Sequence, residues 1–257
     1  IGGGPTGVEL ATEIRSSLRA YCSQFKPGLG STDIHINLIE AGPTLLPGQP
    51  ESMIKAVANT LKRMNVQVYC NAKVTQVAAD SLEIQDGPTL PATATIWAAG
   101  VQAPACLSEL SGLETNRARQ LKTNTVLQTL GDDRIYAIGD CAEVILNEQR
   151  LGPRAQVAQQ EAFYLAKSIE QRLLQKSVDS FVFTDRGTVV SLGQSDSAAN
   201  LLAPMLGQIN IHGLIARMSY AALYRKHQLA LFGLYPTTLM FLKDQLFRTL
   251  GPKLKLH

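Results

Sequence analysis

The stretch Ile1-Gly-Gly-Gly-Pro-Thr-Gly-Val-Glu-Leu-Ala11 decides how the rest of this chain reads. Gly2, Gly4 and Gly7 stand at G-x-G-x-x-G spacing, and Val8, Ala11, Ile14 and Leu18 then recur on one face of a helix. In such a turn Gly2 permits the tight bend, Gly4 lets backbone approach a pyrophosphate, and Gly7 lets helix and strand pack closely. The helix start, with Pro5 and Thr6 inside the turn, offers unpaired N–H groups to the phosphates.

Glycine turns before helices are common, so context has to support the motif. The next segment, Ile34-His-Ile-Asn-Leu-Ile-Glu40, reads as a strand ending in an acid. Glu40 would accept hydrogen bonds from ribose hydroxyls and repel a 2′-phosphate, which favours NAD(H) over NADP(H). It lies 33 residues past Gly7, against the usual figure of about 20 from motif to acid. A loop over Cys22 to Asp33, with Pro27, Gly28 and Gly30, accounts for the excess. The plainer alternative is a helix N-terminus beside a solvated strand-end glutamate. A Rossmann unit also needs a strand before its glycine turn, so the expectation is an N-terminally truncated fragment whose fold is completed by residues ahead of Ile1.

The 257 residues, 45% hydrophobic and 18% charged, suffice for one large domain or two ordinary ones. That composition excludes a disordered chain and a disulfide-stapled miniprotein. The net charge of +3 is unevenly spread. Residues 208–257 hold seven basic side chains against one acid, Asp244, a balance of +6 that leaves −3 on the rest. Such a tail suits an anionic partner, nucleic acid or a phospholipid surface. Cys22, Cys70, Cys106 and Cys141 show no C-x-x-C pair and no His at ligand spacing, so free thiols are expected and no metal site. No basic-then-apolar leader opens the chain.

Farther along, residues 50–64 read as a helix, with Met53, Ile54, Val57, Leu61 and Met64 on its apolar side, followed by a strand at Val66–Tyr69. Val74–Ala78 and Ser81–Gln85 alternate in polarity around Ala79-Asp80, as in a hairpin or a small meander. Ala94–Gly100 reads as an apolar strand, and a further strand is expected near Thr125–Gln128. Arg134-Ile-Tyr-Ala-Ile-Gly-Asp140 reads as a strand delivering Gly139 and Asp140 to its end, where Asp140 could accept from a polyol; a plain turn is the commoner meaning of Gly-Asp. A long helix is expected over 153–175, with Pro153 at its first position. Ala155 and Ala158 would leave room there for a flat ligand, and Gln156, Gln159 and Gln160 offer amides; an ordinary soluble helix is the alternative. Strands near Phe181–Phe183 and Thr188–Gly193 follow, joined by Asp185-Arg-Gly187.

From Ile209 to Leu250 apolar residues recur at helical spacing: Leu214, Met218 and Ala221 or Ala222, then Leu239, Leu242, Leu246 and Leu250 after a break at Gly233–Pro236. The longest run free of Lys, Arg, Asp, Glu and His, Gln228 to Leu242, falls short of the roughly 20 residues a bilayer span requires. Two amphipathic helices in the membrane interface are expected, or a helical hairpin packed on the body or joining two copies as a homodimer. No stacking platform accompanies the charge, which disfavours nucleic acid.

Gly-Gly-Gly-Pro-Thr-Gly-Val-Glu-Leu-Ala (2–11), Ile-Trp-Ala-Ala-Gly (96–100), Ala-Ile-Gly-Asp-Cys-Ala (137–142) and Arg-Ala-Gln-Val-Ala-Gln-Gln-Glu-Ala (154–162), ahead of the basic tail, together resemble the type II, non-proton-pumping NADH:quinone oxidoreductases. The resemblance implies an α/β flavoprotein of two Rossmann-like dinucleotide-binding domains, lacking its N-terminal FAD βαβ unit, with a C-terminal amphipathic membrane anchor. It divides the chain into an NADH domain at 1–103, the returning part of the FAD domain at 104–207 and the anchor at 208–257. It assigns Gly2, Gly4, Gly7 and Glu40 to NADH and places Glu9 near the nicotinamide, although a glutamate in a first helical turn also suits the helix dipole. Ala99 and Gly100 would line the passage to the flavin, Gly139 and Asp140 would bind FAD, and Ala155, Gln156 and Gln160 would face flavin and quinone. Ala99 stands where Thr is usual, and Gln159 where some relatives have His. The family's first glycine motif, for the ADP part of FAD, would lie upstream of Ile1. Localisation would be peripheral, on the cytoplasmic or equivalent organellar face of a membrane. A soluble NADH-dependent flavoprotein reductase of another acceptor, and a non-enzymatic nucleotide-binding, membrane-associated module, are the alternatives.

Overall fold

The computed structural model describes residues 1–25, 33–192, 197–203, 207–212, 222, 224–225 and 228–250. It divides into two compact units, residues 1–99 with 187–257, and residues 100–186.

In the first unit, helix α1 (Pro5–Phe25) starts with proline in its first position, where a missing N–H costs nothing, and the Gly4 carbonyl accepts from Val8. Strand β1 (Ile36–Ile39) pairs in parallel with β2 (Val66–Tyr69), Ile36 opposite Val66 and Ile39 opposite Tyr69. Helix α2 (Glu51–Arg63) makes the crossover between them. Glu51 in its first turn and Lys62 and Arg63 in its last complement the dipole, and Asn65 at φ 58° closes its C-terminus in the left-handed conformation that suits asparagine. Val8, Leu38, Met53, Val57 and Leu61 bury the apolar faces of both helices against β1. Arg15, 5% exposed, reaches through this core to give Nε to the Met64 carbonyl and Nη1 to that of Ile34, tying α1 to both ends of the crossover.

Of the two expectations for 74–85 the small meander forms: β3 (Val74–Val77) pairs with β4 (Ser81–Ile84), and β4 with a third strand, β5 (Thr89–Pro91). The apolar stretch 94–100 forms no ladder of its own. Its partner is a single residue: the Ile1 amino group donates to the Ile96 carbonyl and Ala98 N–H to that of Ile1, while Gly2 N–H donates to Ile39. From this rung a groove of about 990 Å³ runs along β1, lined by Ile14, Leu18, Ile36, Leu38 and Leu90. The Asn37 Oδ1 atom is buried there without a hydrogen-bond partner.

Strands β10 (Thr188–Ser191), β11 (Ser197–Ala203) and β12 (Gly207–His212) form an antiparallel meander. Val190 and Leu192 join the core of the first unit, with Val8, Leu38 and Met53. One expectation changes here. Residues 209–212 are strand, not the start of a helix, because their backbone pairs with β11; Leu214, Met218 and Ala221 lie outside the described residues. The chain breaks at Gly233 (φ 78°), and the last helix, Leu234–Leu250, carries Pro236 in its first turn. Asp244 on that helix pairs with Arg225, whose guanidinium also lies 5.5 Å from the Phe241 ring centre. No helix among the described residues is long and apolar enough to cross a membrane.

The second unit is built from short pieces: a 3-10 turn (Ala105–Glu109), β6 (Leu121–Lys122) parallel to β7 (Ala142–Glu143), and β8 (Ile145–Leu146) antiparallel to β9 (Gln149–Arg150). The expected strands near 125–128 and 134–140 appear only as isolated bridges, Thr123 with Thr129 and Gln128 with Tyr136, since Leu127 sits at φ 64° and interrupts extension. Helix α3 runs Ala155–Leu173, two residues later than expected at its start: Pro153 lies outside, and Arg154 is the extended cap. Leu121, Leu127, Val144 and Phe181 form the core of this unit.

Candidate functional site

The Gly2–Gly7 turn is shaped by what its glycines must pass. A Cβ on Gly7 would lie 1.8 Å from the Gly2 carbonyl oxygen, so no other residue fits without moving backbone. A Cβ on Gly2 would sit 2.9 Å from the Ala98–Ala99 backbone, and one on Gly3 would strike Leu45 and Glu40. Gly4 has nothing within 4 Å of the same position, so that side of the turn is open to a ligand. Thr6 and Gly7 fall in the first turn of α1, where amides have no intrahelical acceptor.

Glu40 closes the turn from the end of β1. Its Oε2 accepts the Gly3 N–H at 2.6 Å and its Oε1 the Gly42 N–H at 2.7 Å. Each carboxylate oxygen keeps a further lone pair, so the capacity for ribose hydroxyls persists. Gly3, an unspecified position in the motif, is therefore part of the site. Glu9 lies in the second turn of α1, past the four residues where the dipole would favour it. The Ala99 carbonyl receives the Trp97 indole N–H at 2.8 Å, and Gly100 adopts φ +78°.

The second turn, in the second unit, is the 3-10 segment Gly139–Cys141. Gly139 takes φ +71°, and its N–H donates to Glu161 Oε2 on α3 at 2.6 Å. Gln120 Nε2 donates to the Asp140 carbonyl at 2.9 Å, and Gln120 is itself held by Asn116 and Arg150, both of which also bind Glu143. The Asp140 carboxylate is exposed and makes no hydrogen bond among the described residues. Glu161 is 1% exposed, and burial first, then the Asp140 charge, holds its carboxyl above the usual range against the pull of the Gly139 N–H. The sequence carried a faint signal for it, an acid at the helical spacing of Val157 and Ser168, both inward-facing.

The glutamines of α3 turn to protein. Gln156 Nε2 donates to Asp185 and its Oε1 accepts from Arg186 N–H; Gln160 makes a two-way amide bridge to the Thr184 backbone, 2.9 and 3.0 Å. Arg154 adds an ion pair to Asp185 at 3.1 Å and stacks on Phe183. Ala155 is exposed at the helix start. Three sets of predicted residues thus settle differently: the glycines and Glu40 converge on one turn, Gly139 and Asp140 form another, and Gln156 and Gln160 hold the segment 184–186.

Residues 1–162 match the model of the pyridine nucleotide-disulphide oxidoreductase family. The type II NADH:quinone oxidoreductase of Haemophilus influenzae is 40% identical over 260 residues, covering 100% of this chain and 58% of that protein. The Staphylococcus aureus protein of the same name is 31% identical over 217 residues, 80% of this chain and 52% of its own length. The chain therefore spans little more than half of these relatives. Among solved structures, NDH2 from Plasmodium falciparum in complex with NADH superposes with a TM-score of 0.79 at 20% identity, covering 99% of this chain and 66% of that one. The sulfide:quinone oxidoreductase of Aquifex aeolicus reaches 0.65 at 18% identity, over 84% and 52%. With its two glycine turns and a match over 1–162, the chain belongs to the pyridine nucleotide-disulphide oxidoreductase family.

Proposed function

We propose that this chain is the NADH-binding part and the returning half of the FAD-binding part of a type II NADH:quinone oxidoreductase, which passes hydride from NADH to FAD and electrons on to a membrane quinone without pumping protons. The Gly2–Gly7 turn carries the reading, since its open side at Gly4, its first-turn amides and Glu40 together form a place for a dinucleotide. The 40% identity to the Haemophilus influenzae relative supports the narrower choice within the family.

In this reading Gly2, Gly4, Pro5, Thr6 and Gly7 cradle the pyrophosphate of NADH and Glu40 takes its ribose. Glu9 stands near the nicotinamide, and Ala99 and Gly100 line the passage to the flavin. The unengaged Asp140 carboxylate fits a polyol, so Gly139 and Asp140 would hold the ribityl part of FAD, with Ala155 at its ring. FAD, when bound, supplies a carrier that accepts two electrons together and can release them singly. Gln156 and Gln160 act on the quinone side through the 184–186 segment they hold, by its backbone and by the Asp185 carboxylate. The last helix, with Leu234, Tyr235, Leu239, Phe241 and Leu242 exposed beside Lys243, lies in the interface of an anionic membrane, on its cytoplasmic or equivalent organellar face.

The test is to purify the intact protein with its membranes, record the flavin spectrum, and follow NADH oxidation with and without a ubiquinone analogue. Bound flavin, reduced by NADH and reoxidised by the quinone, is the expected outcome. A protein without flavin would defeat the reading, and flavin that NADH reduces but quinone leaves reduced would point to a soluble acceptor. Truncation after residue 227 should release the protein from phosphatidylglycerol vesicles; retention would defeat the membrane assignment.

A further inference from the structure

Among the described residues Glu161 is the only buried acid, and an apolar side chain would suit its place between Val157 and Ser168 on the inner face of α3. A carboxylate taken from water is costly unless its oxygens are used. Here one is: Oε2 receives the Gly139 N–H at 2.6 Å. That amide begins a 3-10 turn in a left-handed conformation, and its acceptor is a side chain 22 residues farther on. The small cavity under the turn is lined by Ala142, Val144, Val157 and Ala158, and Arg154 is the only cation there, already paired with Asp185. The Asp140 charge, one residue past Gly139, also raises the Glu161 carboxyl.

We infer that Glu161 is a positioning residue for the second turn: by accepting the Gly139 N–H, it fixes the backbone from which Asp140 is presented to the flavin. The inference rests on the FAD reading of that turn. Gln120 holds the carbonyl side of Asp140 and Glu161 the amide side of Gly139, so the two residues meant to meet the ligand are pinned from opposite ends. Without the acceptor, Gly139 would keep a part-buried, unpaired N–H, and the turn would move to find water.

The experiment compares E161Q, which keeps a side-chain oxygen acceptor, with E161M, which keeps volume alone, in the intact protein. Two quantities are read: hydrogen exchange of the peptide containing residues 137–142 in the flavin-free protein, and the dissociation constant of FAD by fluorescence quenching. E161Q should stay within about threefold of wild type in both, while E161M should exchange faster and bind FAD about tenfold or more weakly, the scale of one lost hydrogen bond to a charged group. E161D, which withdraws the carboxylate by one methylene, should fall between and serves if E161M does not fold. Wild-type FAD affinity in E161M, or in E161D in its place, would overturn the inference alone, as would an E161Q as weak as E161M. A wild type that binds no FAD would overturn the flavin reading and this inference with it.

Discussion

Two glycine turns in this chain each give one backbone N–H to a glutamate at 2.6 Å, Gly3 to Glu40 and Gly139 to Glu161, and yet the two contacts are built on different physics. Glu40 stands at a strand end, half-buried, with its second oxygen on Gly42. Solvent and two amides share its charge, and the residue is free to serve a ligand as well. Glu161 is 1% exposed on a helix, with burial working against its charge. The first contact shapes a site from its rim, the second from beneath. The glycines differ in the same sense: Gly7 is demanded by space, with the Gly2 carbonyl 1.8 Å from where a Cβ would be, and Gly139 by conformation, with Ala158 a comfortable 3.6 Å away.

The largest effect should follow from G7A. Backbone has to move, so a loss of about 3 kcal/mol in denaturant stability is expected, together with loss of NADH binding in a fluorescence titration. Wild-type stability in G7A would erase the distinction between a spatial and a conformational glycine. G139A should cost less, about 1–2 kcal/mol, because only the left-handed backbone resists it; a cost matching that of G7A would show that the second turn is as tightly packed as the first.

E40Q should weaken NADH by a few-fold, on the order of 1 kcal/mol, and narrow the preference for NADH over NADPH, because an amide no longer repels a 2′-phosphate. Unchanged discrimination would remove Glu40 from the ribose. The subtlest effect is a pH dependence. Burial raises the Glu161 carboxyl above its ordinary 4.5, so the fold favours the protonated form. Its contribution to stability is fully present below that value and is lost as pH rises through the raised one. Melting temperatures across that range should therefore fall more in wild type than in E161Q, and parallel curves would mean that Glu161 titrates as an ordinary surface acid.

The first turn was legible because its signals are local. Glycine spacing, the periodicity of α1 and the acid closing β1 lie in consecutive segments, and a parallel β-α-β crossover brings their ends together by topology. The hairpin at 74–84 was legible for the same reason. Other features depend on partners distant in sequence. Among the described residues the backbone read as a strand at 94–100 hydrogen-bonds across to Ile1 alone, so it forms a single rung and no ladder. Gln156 and Gln160 have the chemistry of ligand-facing amides, but the return of the chain at 184–186 takes their hydrogen bonds. Residues 209–212, Ile-Asn-Ile-His, alternate in polarity and pair with β11, so the helical spacing read from Leu214 onward does not extend back to them.

The residues alone thus determined the glycine turn at 2–7, the acid that closes it and the order of the crossover elements, because steric demands on glycine and the periodicity of neighbouring side chains act over a few positions. Only the tertiary structure decided that Glu161 and Arg15 lie inside, that Gly3 belongs to the site, and that the α3 glutamines bind backbone. A buried polar group is defined by its partner, and here each partner lies between 19 and 49 residues away.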